Sequence, residues 1–367
     1  MIRSVAVVGA GLTGAATAWR LAQRGVAVTL LERAAPAHAQ GSSHGSARIF
    51  RHAYPDPFHV RLVAESRSHW DELAGAAGEQ FIRPTGSLDF GSVRDPAALA
   101  SVLAAVGVEH ELLSASAAAQ RWPGIRTGDG PVLWHPGAGV IDAERAVLAM
   151  VALARAAGAT VHTDWTLTGL VETGGRVALR SADGEMLTVD HVVVAAGGWL
   201  PSLELPFSLP PLRIRKEQAY HFPYRDPVAE WPTFIHKGAD IMTYSLPGGR
   251  DAGFRGQKLA EYSAGPSIPS SAFNDGVVDP RNRERVVEYV SRFLPGLIPE
   301  PYAETTCVFT TTPTEDFLID TVGAITVASP CSGHGAKFAP LLGTIVADSA
   351  LGVAAPADRF RLSQGLS

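Results

Sequence analysis

Residues 4–33 read "SVAVVGAGLTGAATAWRLAQRGVAVTLLER", and no other stretch of the chain constrains the fold as strongly. A short run rich in β-branched residues leads into a glycine-rich turn. A segment of helical length follows as far as Gly25, and a second β-branched run ends at Glu32. This order is typical of two parallel strands joined by a helix. The stretch therefore predicts a βαβ unit at the start of an α/β protein.

The glycines of this unit stand at GxGxxG spacing, at Gly9, Gly11 and Gly14. In such a turn the first glycine allows the tight bend, the second lets backbone amides approach a pyrophosphate, and the third lets helix and strand pack closely. The helix N-terminus then presents its positive dipole end to the phosphates. Glu32 ends the second strand, where a carboxylate can bind a ribose hydroxyl. The pattern predicts a site for NAD or FAD, which both use this arrangement, and the carboxylate disfavours NADP.

The composition excludes several classes of partner. The 367-residue chain has a net charge of −5 and no run rich in lysine or arginine, so we expect neither nucleic acid nor a membrane as a partner. No apolar run has the length of a membrane span, and the first strand begins without a signal-peptide pattern. Two cysteines, Cys307 and Cys331, are too few for a disulfide framework, and the histidines lack the spacing of a zinc site. We therefore expect a soluble cytoplasmic protein without a metal centre.

Three longer motifs follow in order: "GSSHGSARIFRHAY" at residues 41–54, "ETTCVFTTTPTEDFLID" at residues 304–320 and "SGHGAKF" at residues 332–338. Together with "RWPGI" at 121–125, "GVID" at 139–142 and "VVAAGGW" at 193–199, they resemble the monomeric sarcosine oxidase family. That family of N-methyl amino acid oxidases belongs to the D-amino-acid-oxidase-like FAD enzymes. The motifs are more specific than the glycine fingerprint, and the resemblance favours FAD over NAD.

The resemblance implies a mixed α/β (α+β) fold with two interleaved domains. One is a Rossmann-like FAD-binding domain, and the other is a substrate domain built on a mostly antiparallel β-sheet. The predicted FAD-binding domain is discontinuous and contains residues 1–82, 143–210 and 315–367. The predicted substrate domain contains residues 83–142 and 211–314.

The resemblance also implies which residues bind FAD. Cys307 stands where the family carries a cysteine linked to the 8α-methyl group of the flavin, an attachment that needs a thiolate nucleophile. A small packed side chain is the alternative role for a free cysteine, and the flavin is then held without a covalent link. We predict this packed role for Cys331. The other predicted FAD contacts are Gly9, Gly11, Leu12, Thr13, Gly14, Glu32, Arg33, Ser43, His44, Arg48, Ala196, Gly197, Trp199, Gly333, His334, Gly335 and Lys337.

Five of the matched positions carry basic side chains with distinct implied roles. Arginine suits a carboxylate because its planar fork binds both oxygens and keeps its charge. By resemblance, Arg51 and Lys337 bind the substrate carboxylate. His44 and Arg48 match positions against the flavin ring. Lys258 matches a lysine that the family links to oxygen activation, where a cation would stabilise developing superoxide.

Two positions depart from the sarcosine oxidase pattern. Tyr262 stands where the family carries a histidine, and Phe309 where it carries a tyrosine, whereas Tyr244 is retained. We therefore expect a substrate pocket lined by these three side chains that is more aromatic and less basic. Turnover of sarcosine itself should then be poor.

These features predict an FAD-dependent oxidase of a secondary amino acid, a sarcosine-like N-substituted glycine. Its C–N bond becomes an imine that hydrolyses, and O2 becomes H2O2. One alternative is a flavin oxidase or dehydrogenase of a cyclic imino acid such as pipecolate or proline, or of a larger N-carboxymethyl amine in a biosynthetic pathway. Others are a flavin-binding subunit or sensor without turnover, because a fold does not fix function, and an NAD-dependent dehydrogenase. We expect a monomer or a weak homodimer.

Overall fold

The computed structural model describes residues 2–227 and 230–362. Within this part of the chain the α-helices are α1 (Leu12–Gln23), α2 (Pro57–Ala77), α3 (Pro96–Val106), α4 (Ala115–Arg121), α5 (Ala143–Ala156), α6 (Pro280–Phe293) and α7 (Ala339–Leu351). Several begin at acidic N-caps, as the sequence suggests: the side chain of Asp142 accepts from the amide of Arg145 at the start of α5. No helix in these residues is long and apolar enough to cross a membrane.

The strands fall into four sheets. In chain order they are β1 (Ser4–Val8), β2 (Ala27–Leu31), β3 (Arg48–Phe50), β4 (Ile82–Pro84), β5 (Ser87–Phe90), β6 (Glu111–Leu113), β7 (Val132–His135), β8 (Gly139–Ile141), β9 (Thr160–His162), β10 (Leu167–Thr173), β11 (Arg176–Ser181), β12 (Met186–Val189), β13 (His191–Val194), β14 (Arg213–Pro223), β15 (Thr233–Lys237), β16 (Met242–Pro247), β17 (Gly256–Glu261), β18 (Ser267–Ile268), β19 (Ala303–Thr311), β20 (Leu318–Val322) and β21 (Ile325–Ser329).

The first sheet holds the βαβ unit and has six strands in the order β20-β21-β13-β1-β2-β9. Its pairs are parallel except for β20 with β21. Helices α1, α5 and α7 cover one face, and the antiparallel sheet β10-β11-β12 covers the other. Because both faces are buried, β1 reads as a continuous apolar run rather than an alternating one. The predicted mixed α/β fold with a Rossmann-like unit is confirmed.

The second large sheet has nine strands, in the order β18-β14-β17-β16-β15-β5-β7-β6, with β19 also paired to β14. All pairs are antiparallel except β15 with β5. Helix α6 packs on one face through an apolar cluster that includes Tyr220, Phe222, Leu259 and Val290. The opposite face is turned toward the loop that precedes β3, and it carries most of the predicted substrate residues.

A small sheet, β3-β8-β4, lies between these two layers. It places Arg48 in antiparallel register with Ile141, and thus fixes the motif at residues 41–54 against the motif at residues 139–142. The proposed division into residues 1–82, 143–210 and 315–367 and residues 83–142 and 211–314 stays a prediction.

Candidate active site

An elongated cavity of ≈ 390 Å³ begins at the glycine turn after β1 and ends at β19. Its walls come from widely separated parts of the chain, as the order of the motifs predicts. The predicted FAD contacts that line it are Gly9, Gly11, Leu12, Thr13, Glu32, Arg33, Ser43, Arg48, Ala196, Gly197, Trp199, Cys307, Gly333 and Gly335. Among the wall residues that sequence reasoning missed are Trp165, Thr166 and Leu167, which lie where the chain enters β10.

The glycine turn is too crowded for side chains. A Cβ on Gly14 would lie 1.8 Å from the carbonyl oxygen of Gly9, and a Cβ on Gly9 would lie 2.5 Å from that of Ala195. Gly9 also has a φ of +101°, which favours glycine. The amide of Leu12 at the start of α1 donates to the hydroxyl of Ser43 at 3.0 Å. The turn therefore brings backbone up to the cavity wall, with the N-terminus of α1 facing the cavity.

Glu32 closes the nucleotide end of the cavity. Its side chain is buried, and its two oxygens accept from the amides of Ala10 and Ala34 at 2.7 and 3.1 Å. His38 lies 3.5 Å from the same carboxylate and packs on the ring of Trp199. Two amides thus hold a carboxylate at the wall, where it can accept from a ribose hydroxyl.

Where the cavity reaches β19, one face of the nine-stranded sheet carries a group of side chains that we call the site face. It consists of Glu217, Tyr244, Lys258, Cys307 and Phe309. Residues directly opposite on paired strands point to the same face of a sheet. Cys307 lies opposite Glu217, Lys258 lies opposite Leu246, and Tyr244 lies opposite Ala260 on the strand that carries Lys258. The ring of Tyr262 follows β17 and lies 6.3 Å from that of Phe309, centroid to centroid.

Cys307 lies beside a cation. The Arg48 guanidinium is 3.7 Å from its Sγ, and the same group donates to the carbonyl oxygens of Ser42 and His44 at 3.2 and 2.8 Å. Arg48 therefore joins the loop before β3 to strand β19. His44 belongs to this loop, and burial, followed by the charges of Arg48 and Lys258, lowers its pKa to about 4. Its imidazole is neutral at physiological pH.

Lys258 is buried under the same loop. Its ammonium donates to the carbonyl oxygen of Ala47 at 3.4 Å, and only 6% of the residue is exposed. Burial, and then the positive charge of Arg48, lowers the pKa of Lys258 to about 8. The strand lysine is thus a buried cation of the site face and not a solvated surface group.

Arg51 and Lys337, from opposite ends of the chain, meet at the ring of Tyr54. The Arg51 guanidinium lies 4.9 Å from the ring centroid, and Lys337 Nζ donates to the Tyr54 hydroxyl at 2.9 Å and to the carbonyl oxygen of His334 at 2.7 Å. Burial, together with the charge of Arg51, holds the pKa of Lys337 well below its usual value. An ammonium has three N–H donors, so one donor of Lys337 stays available for a ligand.

The side chain of His334 lies in a hydrogen-bond network with Tyr54 and Glu315, and its predicted contact with FAD stays a prediction. Its Nε2 lies 3.1 Å from the carbonyl oxygen of Glu315, so Nε2 must donate, and Nδ1 accepts from the Tyr54 hydroxyl at 3.0 Å. Burial lowers its pKa to about 3, which agrees with a neutral ring. The side chain packs among Tyr54, Phe317 and Phe338 and holds the Lys337 clamp, and it does not line the cavity. Gly14, His44 and Lys337 also lie outside the cavity wall.

Sequence reasoning missed three charged groups beside the site. Glu217 is 1% exposed with its Oε1 unpaired, and burial, opposed by the charge of Arg215, raises its pKa to about 7. Arg94 and Lys237 lie next to Arg51 and add positive charge on that side, and the expectation of a pocket less basic than that of the sarcosine oxidases stays a prediction. No motif marks these residues. The only signal was strand parity, which places Lys237 on the face of Ile235 and Tyr244 once the register is known.

A family model described as "FAD dependent oxidoreductase" matches residues 4–349. The chain belongs to this family. It is a flavoenzyme, and the predicted FAD cofactor is confirmed at the level of the family.

Individual proteins similar to this chain over most of its length support the family assignment. The chain is 30% identical to monomeric sarcosine oxidase of Bacillus sp. (strain NS-129) over 94% of its own length and 92% of that protein. It is 30% identical to N-methyl-L-tryptophan oxidase of Yersinia pestis (strain Pestoides F), with 93% of each chain covered. Among solved structures, the open form of NikD, an unusual amino acid oxidase, has a TM-score of 0.88 at 25% identity and covers 98% of this chain and 97% of that one. Glycine oxidase from Geobacillus kaustophilus, at 19% identity, shares the fold with a TM-score of 0.80 and 99% coverage of both chains.

The cavity suits FAD. The crowded glycine turn, the buried carboxylate of Glu32 and the N-terminus of α1 form a dinucleotide cradle at one end. The buried Nε1 of Trp199, which lines the cavity, and the buried Nε2 of His44, in the loop before β3, have no hydrogen-bond partner within the described residues. Such unpaired buried groups are costly unless a ligand satisfies them. Among the described residues no group of three or more side chains could hold a metal ion.

Proposed function

We propose that the enzyme oxidises the CH–NH bond of a secondary amino acid, an N-substituted glycine, to an imine that hydrolyses in water. The observation that carries this proposal is the meeting of Arg51 and Lys337 at Tyr54, next to the site face. Two cations with free donors can hold one carboxylate. The names of the relatives, monomeric sarcosine oxidase and N-methyl-L-tryptophan oxidase, support an amino acid with a substituted nitrogen.

Each residue of the site then has a defined task. When bound, FAD would supply the two-electron acceptor for the CH–NH bond and would return these electrons to O2, giving H2O2. Arg51 and Lys337 fix the carboxylate and thereby the reacting carbon. Tyr244, Tyr262 and Phe309 form an aromatic wall beside the N-substituent. Burial raises the pKa of the Tyr244 phenol, so that side chain stays neutral.

Lys258 and Arg48 supply positive charge beside Cys307, and we assign Lys258 to the reaction with oxygen. A buried ammonium whose one hydrogen bond within the described residues is a long contact with a carbonyl oxygen can stabilise the negative charge that O2 acquires on reduction. Arg48 and His44 hold the loop before β3 against β19, with Arg48 adding a second positive charge.

We further propose that Cys307 is the covalent attachment point of the flavin. The thiol is free, lines the cavity and lies next to the Arg48 guanidinium, the kind of electropositive environment that reactive cysteines need. Cys331 also lines the cavity, but burial raises the pKa of its thiol, which suits a packed role. Denaturing the protein in acid tests the link: yellow colour should stay with the polypeptide and be released by Cys307→Ser. Colour lost from the wild type would show non-covalent binding.

The experiment that tests the reaction is anaerobic bleaching of the flavin by secondary amino acids, followed by oxygen uptake. N-alkylglycines, proline, pipecolate and iminodiacetate form a suitable set. Bleaching by at least one of them with H2O2 release on aeration is the expected result. Bleaching by proline or pipecolate alone would favour the cyclic imino acid alternative. A flavin that no amino acid bleaches would indicate a binding subunit, although a carboxylate clamp has no purpose in such a protein.

Two further properties belong to the same proposal. Both cysteines are free thiols, which suits a reducing cytoplasmic location. Small-molecule substrates and O2 are the partners, and we propose a monomer or weak homodimer. Size-exclusion chromatography with light scattering measures the latter directly.

A further inference from the structure

Positive charge beside Tyr54 exceeds what one substrate carboxylate can neutralise. Arg51 and Arg94 both donate to the carbonyl oxygen of Ala53, Arg94 at 3.3 Å, so the two guanidinium groups lie side by side. Arg94 is neutralised by a buried ion pair, donating from Nε and Nη2 to Oδ1 of Asp89 at 2.9 and 2.5 Å. Arg51 has no carboxylate partner within the described residues.

Lys337 is the second cation without an ionic partner. It is 4% exposed, and its two hydrogen-bond acceptors, the hydroxyl of Tyr54 and the carbonyl oxygen of His334, are both neutral. Burying an ammonium without a counter-charge is costly, which a bound carboxylate relieves. Arg51 and Lys337 therefore account for one carboxylate between them.

Lys237 is the third such cation. It is the last residue of β15, two positions beyond Ile235, which lies opposite Tyr244 on one side and Asp89 on the other. Side chains two apart on a strand share a face, so Lys237 extends the site face toward Arg94. Its carbonyl oxygen accepts from the amide of Val93 at 2.9 Å, which fixes this strand end beside Arg94.

The half-buried ammonium of Lys237 has no hydrogen bond or ion pair within residues 2–227 and 230–362. Its surroundings are mostly positive: burial and then the charges of Arg94 and Arg51 lower its pKa, while Glu315 and Asp89 act in the opposite direction. Glu315 is exposed and forms no ion pair with Lys237, and Asp89 is already engaged by Arg94. A cation in this position lacks a counter-charge from the protein.

Resting on the function proposed above, we propose that the substrate is a secondary amine with two carboxylates, one on each arm of the nitrogen. Arg51 and Lys337 hold the carboxylate of the glycine unit. Lys237, with the free Nη1 of Arg94, holds the second. A carboxylate fits better than a phosphate, because Asp89 already neutralises Arg94 and the single charge of Lys237 matches a group of charge −1.

The test compares two N-substituted glycines of similar size as substrates of the purified holoenzyme. Iminodiacetate has a charged second arm on the nitrogen, and N-ethylglycine has a neutral one. Anaerobic flavin bleaching gives kcat/KM for each at low ionic strength. We expect the ratio to favour iminodiacetate by about tenfold or more, as for a charge-assisted hydrogen bond. Lys237→Met should bring the ratio to about one, mainly through KM, and added salt should lower the ratio in the wild type. The matched control is Lys216→Met, which removes a lysine paired with Asp275 on the other face of β14 and should leave the ratio unchanged.

A second readout does not depend on turnover. Oxydiacetate has the shape of iminodiacetate, and ethoxyacetate has the shape of N-ethylglycine, but each carries an ether oxygen in place of the amine. Their binding is measured from changes in the flavin spectrum. Oxydiacetate should bind about tenfold more tightly than ethoxyacetate, and Lys237→Met should remove the difference. Equal affinities, or a wild-type ratio retained in Lys237→Met, would overturn the two-carboxylate proposal. If no amine bleaches the flavin but oxydiacetate still binds more tightly than ethoxyacetate, the oxidase function is wrong, whereas the proposal of a site for two carboxylates is supported.

Discussion

The nucleotide end of the cavity and the site face differ in how the protein holds buried charge. At the nucleotide end, the carboxylate of Glu32 is buried, and backbone amides donate to both of its oxygens. On the site face, Glu217 is buried with its Oε1 unpaired, and the ammonium of Lys258 reaches only one carbonyl oxygen, at 3.4 Å. Within residues 2–227 and 230–362, Lys337 and Lys237 also form no ion pair with a carboxylate. At the nucleotide end the protein itself satisfies the buried carboxylate, whereas on the site face the buried cations need the negative charge of a substrate.

The pKa values reflect this contrast. Burial moves the pKa of Glu217 up to about 7 and that of Lys258 down to about 8. Both groups titrate near physiological pH because the protein leaves them partly unsatisfied. Perturbed groups of this kind concentrate where chemistry occurs. The nucleotide end therefore serves as a rigid holder, and the site face as the part whose charge state responds to ligands.

The largest expected effect tests the rigidity of the nucleotide end. Gly14→Ala places a Cβ 1.8 Å from the carbonyl oxygen of Gly9, a contact that backbone cannot relieve cheaply. We expect complete loss of bound flavin, measured as the ratio of flavin to protein absorbance. Gly75→Ala is the matched control, since its Cβ meets nothing within 4 Å and alanine favours the helix. Normal flavin content in Gly14→Ala would show that this end is adaptable.

The next effect tests whether the substrate supplies missing charge. Arg51→Met removes half of the carboxylate clamp and leaves the substrate carboxylate facing Lys337 alone. Losses of this kind are worth several kcal/mol, so kcat/KM should fall by about 10³-fold. The control is Arg61, an exposed arginine of α2, and Arg61→Met should change kcat/KM little. Anaerobic reduction kinetics measure both variants, and near-normal activity in Arg51→Met would remove the clamp from the mechanism.

The third test concerns the cost of burying the Glu217 carboxyl group on the site face with one oxygen unpaired. Its raised pKa means that the folded protein keeps a proton that the unfolded chain releases near pH 4.5. Stability should therefore fall as the pH rises from about 4.5 to 7, by at most about 3 kcal/mol, and stay level above that.

Glu217→Gln should lack this decline and be more stable than the wild type at pH 8, with little difference near pH 4.5. Urea unfolding of both proteins at the two pH values measures the change, with exposed Glu300→Gln as control. Parallel pH curves for wild type and Glu217→Gln would mean that the carboxyl is satisfied, and the contrast between the two ends would weaken.

A substitution of Lys258 tests whether the site face uses different charges for the reaction with O2 and for reduction by the substrate. Lys258→Met should slow the reaction of the reduced enzyme with O2 by about 10²-fold, because a preorganised charge is lost. Reduction by substrate under anaerobic conditions should change much less. Stopped-flow mixing resolves the two steps, and Lys216→Met serves as the control. An equal loss in both steps would assign Lys258 to general positioning instead.

The nucleotide end was predictable because its determinants are contiguous. Gly9, Gly11, Gly14 and Glu32 lie within one βαβ unit, and local spacing fixes their geometry. The meeting of Arg51 with Lys337 was predictable only through the family resemblance. Glu217, Arg94 and Lys237 were missed, because their place depends on strand register between segments far apart in sequence. The direction of the His334 side chain could not be read from the sequence for a similar reason: its tautomer and direction are set by Tyr54 and the carbonyl of Glu315.

The order of strands in the six-stranded sheet has a consequence for synthesis of the chain. Strand β13 pairs with β1 on one edge and with β21 on the other, and β21 and Lys337 lie within the last 50 or so residues. Until these residues leave the ribosome, the growing chain exposes β13 as an unpaired edge strand with three consecutive valines, which favours aggregation. The catalytic clamp is also absent for that period. A nascent chain stalled after residue 315 should therefore bind chaperones and produce no peroxide, and crosslinking of stalled ribosomes would show whether it does.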